Sequence, residues 1–275
     1  MKLFAVFGNP IKHSQSPIIH NLFAKQTGIL QNYTKIYVPI NNFYEKIFYF
    51  FKNGGIGANI TTPFKKEAYK FCNIITTRAK YAGVVNTIKI TNSKKFLGDN
   101  TDGIGLLKDL QNLKFINSTS NILLIGAGGA AQGIIYPLIK FGCNITVINR
   151  TYQNAKNIVE YFNNIKKINC LKLEDLFINL DNTIKYNLII NATSSSIKGN
   201  IPNIPSSIIN QDVFCYDLFY NIKITPFLKW CINHGAKKIS DGIGMLIEQA
   251  AYSFYLWHGI MPNTKIIIQK YKKYN

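Results

Sequence analysis

One segment constrains the fold more than any other part of the 275-residue chain: Asn121-Ile-Leu-Leu-Ile-Gly126-Ala127-Gly128-Gly129-Ala130-Ala131. Its unbroken apolar run reads as a strand buried on both faces, the habit of parallel sheets. The run leads into G-x-G-x-x-A and then into helical spacing. In such a turn the first glycine permits a tight bend, and the second lets a pyrophosphate approach the main chain. The small third position lets helix and strand pack closely, and the helix start faces the phosphates with free N–H groups and a positive dipole end. Alone, the glycines are equally at home in a structural turn. The strand before them, the helix after them and a second strand at Asn144–Ile148 point to dinucleotide binding.

The tip of that second strand selects the dinucleotide. NAD-binding units usually place an acid there to hold the ribose 2′-hydroxyl. Here the residues are Asn149-Arg150-Thr151, with no acid. Arg150 offers a permanently charged planar fork for a 2′-phosphate, and Asn149 and Thr151 add hydrogen-bond donors. A hydrogen bond to a charged group contributes about 1.5–3 kcal/mol, or about a 10- to 100-fold preference for NADP if nothing compensates in NAD. The competing reading of Arg150 is a solvated surface arginine.

Around this unit, strand-like runs (Leu3–Phe7, Thr34–Val38, Gly57–Thr61, Leu188–Asn191, Val213–Asp217) alternate with helical stretches such as Pro17–Thr27, Phe43–Lys52 and Ile104–Leu110. Alternation of this kind predicts an α/β protein with mainly parallel sheets covered by helices. A break at Asp102-Gly103 divides an N-terminal α/β substrate domain, 1–103, from a Rossmann-type NADP-binding domain, 104–239. The tail from Gly242 to His258 reads as a helix apolar on nearly all sides, which must be buried. Returning to the substrate domain, it makes 240–275 the completion of that domain.

The formal charge of +19 raises nucleic-acid binding as a rival. Arginine occurs only at Arg78 and Arg150, however, and the lysines are scattered, so no arginine cluster offers bidentate base readout. The expectation is no nucleic-acid partner, with a positive field that helps collect phosphate- and carboxylate-bearing ligands. Five cysteines (Cys72, Cys143, Cys170, Cys215, Cys231) form no C-x-x-C pair, so neither a disulfide framework nor a metal site is expected. MKLFAVFGNP reaches Gly, Asn and Pro too early for a signal-peptide core, and Ile122–Ile139 is broken by glycines and Pro137. The expectation is a cytoplasmic protein with no membrane partner; a homodimer is left open.

Three N-terminal segments put polar residues where strands end. Gly8-Asn9-Pro10-Ile11-Lys12-His13-Ser14-Gln15-Ser16-Pro17 reads as a helix start with Ser16 as N-cap and Pro17 as first helical residue. Capping accounts for Ser16 and leaves Ser14 unexplained. Asn59-Ile60-Thr61-Thr62-Pro63-Phe64-Lys65 reads as a strand ending at Thr61 and a helix starting at Pro63. Lys65 then lies in the first turn, where the dipole disfavours a cation. Gly98-Asp99-Asn100-Thr101-Asp102-Gly103 ends in an acid that also suits a plain helix cap. Ligands of open α/β sheets bind beyond such strand ends.

These segments form part of a longer series. It runs AVFGNPI-x-HS-x-SP (Ala5–Pro17), N-x-T-x-P-x-K (Asn59–Lys65), VNT (Val85–Thr87), GDNTDG (Gly98–Gly103) and GAGGA (Gly126–Ala130). It continues NRT (Asn149–Thr151), NATS (Asn191–Ser194), YD-x-FY (Tyr216–Tyr220) and DG-x-GML-x-x-QAA (Asp241–Ala251). With it the chain resembles the shikimate dehydrogenase family over essentially its whole length. The resemblance implies reversible NADPH-dependent reduction of 3-dehydroshikimate to shikimate, in chorismate and aromatic amino acid biosynthesis. It implies that Ser14, Ser16, Thr61, Asn86, Asp102, Tyr220 and Gln249 hold the substrate, with Lys65 at the reacting oxygen and Asp102 as its catalytic partner. It also implies that Gly126, Ala127, Gly128, Gly129, Ala130, Asn149, Arg150, Thr151, Asn154, Thr193, Leu218 and Gly242 hold NADP.

The residue chemistry agrees with those roles. Hydride delivery to a ketone develops alkoxide character on oxygen, which a lysine stabilises and protonates. Taken by itself, Lys65 with Asp102 reads more readily as an ordinary salt bridge, since first-turn lysines occur on surfaces. Ser14 and Ser16 suit the substrate carboxylate as neutral donors. Gln249 shares a face of the tail helix with Met245, Tyr252 and Leu256, where a buried amide needs a partner that a ligand supplies. Members of the family carry a second arginine shortly after N-R-T. Here that position is Asn154, with Lys156 nearby, which lowers the expected strength of NADP selectivity but not its direction. The rival activities are a quinate or dual quinate/shikimate dehydrogenase, and a non-catalytic NADP-binding regulatory module.

Overall fold

The computed structural model describes residues 1–166, 168–178 and 185–271. They form two compact units: Met1–Gly105 with Leu246–Tyr271, and Leu106–Met245.

The first unit contains β1 (Lys2–Gly8), α1 (Ser16–Thr27), β2 (Gln31–Tyr37), α2 (Phe43–Lys52), β3 (Gly55–Ile60), α3 (Lys65–Phe71), β4 (Ile74–Ile75), α4 (Thr77–Ala82), β5 (Thr87–Ile90) and β6 (Phe96–Asp99). Its sheet has the order β2-β1-β3-β5-β6-β4. β1 is central and buried on both faces, because successive side chains of a strand point to opposite sides. Ala5 and Phe7 join Phe43, Ile47 and Phe64 on one face. Phe4 and Val6 join Ile11, Tyr33 and Trp257 on the other.

The sheet is mainly parallel, as expected, with β1·β2, β1·β3 and β4·β6 all parallel, but it carries one reversed strand. β5 runs antiparallel to both β3 and β6. The cause is a local hairpin: the Thr91 amide donates to the Lys95 carbonyl at 2.8 Å, and the Lys94 amide to the Thr91 carbonyl at 2.9 Å. Lys94 takes a left-handed φ of 56°, a conformation that sequence reading usually expects of Gly or Asn.

The division between units falls inside α5 (Asp102–Asn112) and inside α10 (Ile243–His258). The later turns of α10, followed by α11 (Lys265–Tyr271), belong to the first unit. There the Trp257 indole donates to the Ile88 carbonyl at 3.0 Å. A Cβ on Gly57 would lie 2.3 Å from the Trp257 ring, so glycine at 57 is what lets the helix lie this close to β3.

The second unit contains β7 (Asn121–Ile125), α6 (Gly129–Phe141), β8 (Asn144–Ile148), α7 (Tyr152–Phe162), β9 (Asn169–Leu171), α8 (Asp175–Ile178), β10 (Leu188–Asn191), β11 (Phe214–Asp217), α9 (Pro226–Asn233) and β12 (Lys238–Asp241). The sheet order is β12-β11-β10-β7-β8-β9, and every pair is parallel. Numbered from β7, this is 6-5-4-1-2-3, the doubly wound order of a Rossmann unit. The strand order reverses between β7 and β10, and ligands bind beyond the carboxyl ends of strands at such a point. Leu123, Leu124, Ile189 and Ile190 are fully buried there, each burial contributing about 1.5–3 kcal/mol relative to exposure. No described helix is long and apolar enough to cross a membrane.

Candidate active site

In the first unit Lys65 opens α3. The Phe64 amide donates to the Thr61 carbonyl at 3.0 Å, closing a turn over Thr62 and Pro63, and the first helical bond runs from the Ala68 amide to the Phe64 carbonyl at 2.9 Å. The helix therefore starts at Lys65 rather than at Pro63, and the strand before it ends at Ile60. Lys65 Nζ donates to Asp102 Oδ2 at 2.7 Å, the two side chains being 30% and 18% exposed. That carboxylate offsets the unfavourable position of a cation at a helix start.

Asp102 is the first residue of α5. Its other oxygen, Oδ1, accepts from Asn86 Nδ2 at 2.7 Å. The orientation of the buried Asn86 amide is forced, because its Oδ1 faces the backbone N–H of Thr101 at 2.9 Å, a group that only donates. Nδ2 must then point at the carboxylate. Asn59 lies behind, also buried. It donates to the Asn86 carbonyl at 3.2 Å and the Ser253 hydroxyl at 3.0 Å, and accepts from the Tyr33 hydroxyl at 2.7 Å. Burial pushes the Tyr33 phenol well above its ordinary pKa, against the lowering influence of the Ser16 hydroxyl. One hydrogen-bonded network thus joins Tyr33, Asn59, Asn86, Asp102 and Lys65, and Ser14 and Ser16 bond to each other at 3.2 Å.

Two expectations change in this unit. Gln15, not Ser16, is the N-cap of α1, and it makes no side-chain cap bond. Ser14 Oγ instead accepts the Ser16 amide at 3.3 Å, so the residue that capping left unexplained supplies the bond. Gln249 already has partners within the protein. Its Nε2 donates to the Leu246 carbonyl at 2.7 Å, and its Oε1 accepts from Asn86 Nδ2 and the Thr101 hydroxyl, each at 3.4 Å. The helix's own carbonyl takes one of the two amide hydrogens. Thr61 lies beside Gly8, where an added Cβ would come within 2.4 Å of its methyl group. Sequence reasoning gives no role to Asn59, Thr87 or Ser253; the available signal is a polar residue inside the otherwise apolar strand Gly55–Ile60.

In the second unit a cavity of about 950 Å³ opens at the carboxyl ends of β7, β8 and β10. Gly126, Ala127, Gly128, Gly129, Ala130, Asn149, Arg150, Thr151, Asn154 and Thr193 all line it. Gly126 has φ +110°, and a Cβ there would come within 3.2 Å of the Ala192 backbone. At Gly128 and Gly129 an added Cβ meets nothing within 4 Å. Packing alone does not require glycine at these two positions, whereas a close-lying ligand does. Ala131, the small third position, is fully buried. Asn149 Oδ1 accepts the Ala127 amide at 3.2 Å and ties the β8 tip to the turn. Arg150 is exposed and makes no hydrogen bond or ion pair with the described residues. The lining contains Arg150 and Lys198 but no Asp or Glu. A sizeable acid-free cavity with a glycine turn and a free arginine fits an anionic dinucleotide.

Leu218 and Gly242 lie outside that lining, where β11 and β12 end; the Gly242 amide donates to the Phe219 carbonyl at 3.3 Å, and an added Cβ would strike the Leu218 carbonyl. Tyr220 follows β11, half-buried, with its ring 6.5 Å from that of Phe219. Asp217 is wholly buried and accepts from Ser196 Oγ at 2.6 Å, Thr225 Oγ1 at 2.7 Å, Asn191 Nδ2 at 3.1 Å and the Phe219 amide at 3.2 Å. Burial raises its pKa, against the lowering effect of these donors.

Family models describe three parts of the chain: a shikimate dehydrogenase substrate binding domain at residues 6–88, a shikimate/quinate 5-dehydrogenase at 109–199, and a shikimate 5′-dehydrogenase C-terminal domain at 242–270. A crystal structure of a shikimate dehydrogenase in complex with NADP+ is 33% identical, covering 99% of this chain and 96% of that one, with a TM-score of 0.86. The chain belongs to the shikimate dehydrogenase family. Membership makes it an oxidoreductase and accounts for the two-unit α/β architecture. An Ael1 enzyme from Pseudomonas putida is 32% identical over 98% of both chains, with a TM-score of 0.91. The shikimate 5-dehydrogenase of Thermus thermophilus, in complex with NADP(H) and shikimate, is 27% identical over 99% of both, with a TM-score of 0.86.

Proposed function

We propose that this chain carries out the reversible NADPH-dependent reduction of 3-dehydroshikimate to shikimate, a cytoplasmic step in chorismate and aromatic amino acid biosynthesis. Met1–Gly105 with Leu246–Tyr271 is the substrate unit and Leu106–Met245 the cofactor unit. The observation that carries the proposal is the arrangement of Lys65, Asp102 and Asn86, in which one carboxylate is gripped at 2.7 Å by a cation on one oxygen and by an oriented amide on the other.

A bound NADPH supplies the hydride. As the ketone carbon is reduced, its oxygen gains negative charge, which Lys65 stabilises and then neutralises by giving up a proton. Asp102 holds Lys65 in place and accepts a hydrogen bond from the hydroxyl formed, while Asn86 fixes the carboxylate plane. Ser14 and Ser16 donate to the substrate carboxylate; Thr61, Gln249 and Tyr220 bind the remaining polar groups. In the cofactor unit the Gly126–Ala130 turn holds the pyrophosphate, and Asn149, Arg150 and Thr151 hold the 2′-phosphate, with Asn154, Thr193, Leu218 and Gly242 completing the site.

The deciding experiment follows absorbance of the reduced cofactor with shikimate or quinate against NADP and NAD. The expected result is the highest kcat/KM for shikimate with NADP. Absence of turnover with shikimate would refute the proposal, and a higher kcat/KM for quinate would transfer it to the rival substrate.

A further inference from the structure

We infer that Lys198 is a second phosphate-holding cation of the dinucleotide cavity and serves the pyrophosphate rather than the 2′-phosphate. This rests on the dinucleotide reading and adds a residue to it. Arg150 and Lys198 are the cations of a lining that contains no acid. They reach it from opposite sides of β7: Arg150 follows β8, Lys198 follows β10, and β7 lies between those strands. The glycine turn that would carry the pyrophosphate follows β7 itself. A group that follows β10 therefore enters the cavity on the side of the glycine turn opposite to β8, away from where the 2′-phosphate would be read.

Lys198 is exposed, and a lysine on a loose loop would lose much of its electrostatic gain to side-chain and loop ordering. Its turn is anchored. Ser196 is 4% exposed and donates to Asp217 Oδ2 at 2.6 Å. The Lys198 and Asn200 amides both donate to the Ser195 carbonyl at 2.9 Å, and Gly199 closes the turn at φ +74°. The carboxylate beneath, Asp217, is occupied by four donors. Among the described residues no other cation lines the cavity. Lys156 is absent from the lining, and its Nζ lies 3.8 Å from Glu160. Asn154 lines the cavity but is neutral.

The test is fluorescence titration of purified protein with NADPH and with NADH, without substrate, so that it stands apart from the assay of the reaction. Lys198→Gln should weaken both cofactors by a similar factor, roughly 3- to 10-fold for a partly screened charge. Lys198→Arg should restore most of the affinity. Lys140→Gln, at the far end of α6, controls for the loss of one charge from a strongly basic protein and should leave both affinities unchanged. Unaltered binding of both cofactors by Lys198→Gln would overturn the inference. Weakening of NADPH alone would also overturn it, by assigning Lys198 to the 2′-phosphate.

Discussion

Replacing Lys65 by methionine separates a catalytic group from a salt bridge, because the two roles predict effects of different size. Methionine keeps most of the apolar stem, so packing around α3 is little changed. The ion pair at 2.7 Å is partly open to solvent, with side chains 30% and 18% exposed, and such pairs contribute about 1 kcal/mol or less. For a chain of this size that is a fall in Tm of about 2–4 °C. Asp102 is not stranded, since Asn86 Nδ2 still donates to Oδ1 at 2.7 Å. Loss of a general acid, in contrast, lowers kcat by about 100- to 10,000-fold, equivalent to about 2.7–5.4 kcal/mol of transition-state stabilisation. Because proton donation is made in the transition state, KM for shikimate should move little. Steady-state rates at saturating NADP over a range of shikimate concentrations, a thermal melt and an NADPH titration on the same preparation give kcat, KM, Tm and cofactor binding. The reasoning fails if kcat stays within tenfold of the parent, or if the loss of rate is matched by loss of folded, cofactor-binding protein.

Arg150→Ala should weaken NADP by about 10- to 100-fold and leave NAD nearly untouched; equal losses for the two cofactors would show that Arg150 does not read the 2′-phosphate. Gly126→Ala forces a side chain into φ +110° with its Cβ 3.2 Å from the Ala192 backbone, so it should destabilise the second unit by about 1–3 kcal/mol and abolish cofactor binding; wild-type titration curves would contradict this. His20 is fully buried, stacked on Tyr33 at 4.3 Å, and its pKa is lowered from 6.5 to about 3, chiefly by desolvation. Above pH 6.5 both states are neutral at this site; as pH falls from there towards 3 only the unfolded chain takes up the proton. Stability should then drop by about 1.4 kcal/mol per pH unit from this residue. Urea midpoints of His20→Phe should show a shallower acid limb, and an identical limb would refute the assignment.

The legible parts of the fold and of the site are those whose cause is local. The glycine turn announces itself because strand, turn and helix are contiguous in sequence, and the acid-free tip at Asn149–Thr151 needs only knowledge of where a strand ends. The hairpin β5–β6 does not announce itself: its strands have four residues each, and its turn puts Lys94, not glycine, at positive φ. The sequence suggests a start of α3 two residues early because Pro63 is a good opening residue, while the turn that displaces it depends on the Thr61 carbonyl bond. The roles of Ser14 and Ser16 exchange for a similar reason, since which hydroxyl takes the amide is decided by backbone path and not by residue type. Least legible is the support beneath the proposed site. Asn59 bonds to groups 27 and 194 residues away, and no window along the chain brings these together. Yet those distant bonds fix which way the Asn59 amide faces, as the Thr101 backbone N–H fixes the Asn86 amide. Asn86 in turn sets the plane of the carboxylate that holds Lys65. Residues of the proposed site can therefore be named from motifs, whereas the orientation that the proposed chemistry needs depends on polar side chains whose partners only the folded sheet supplies.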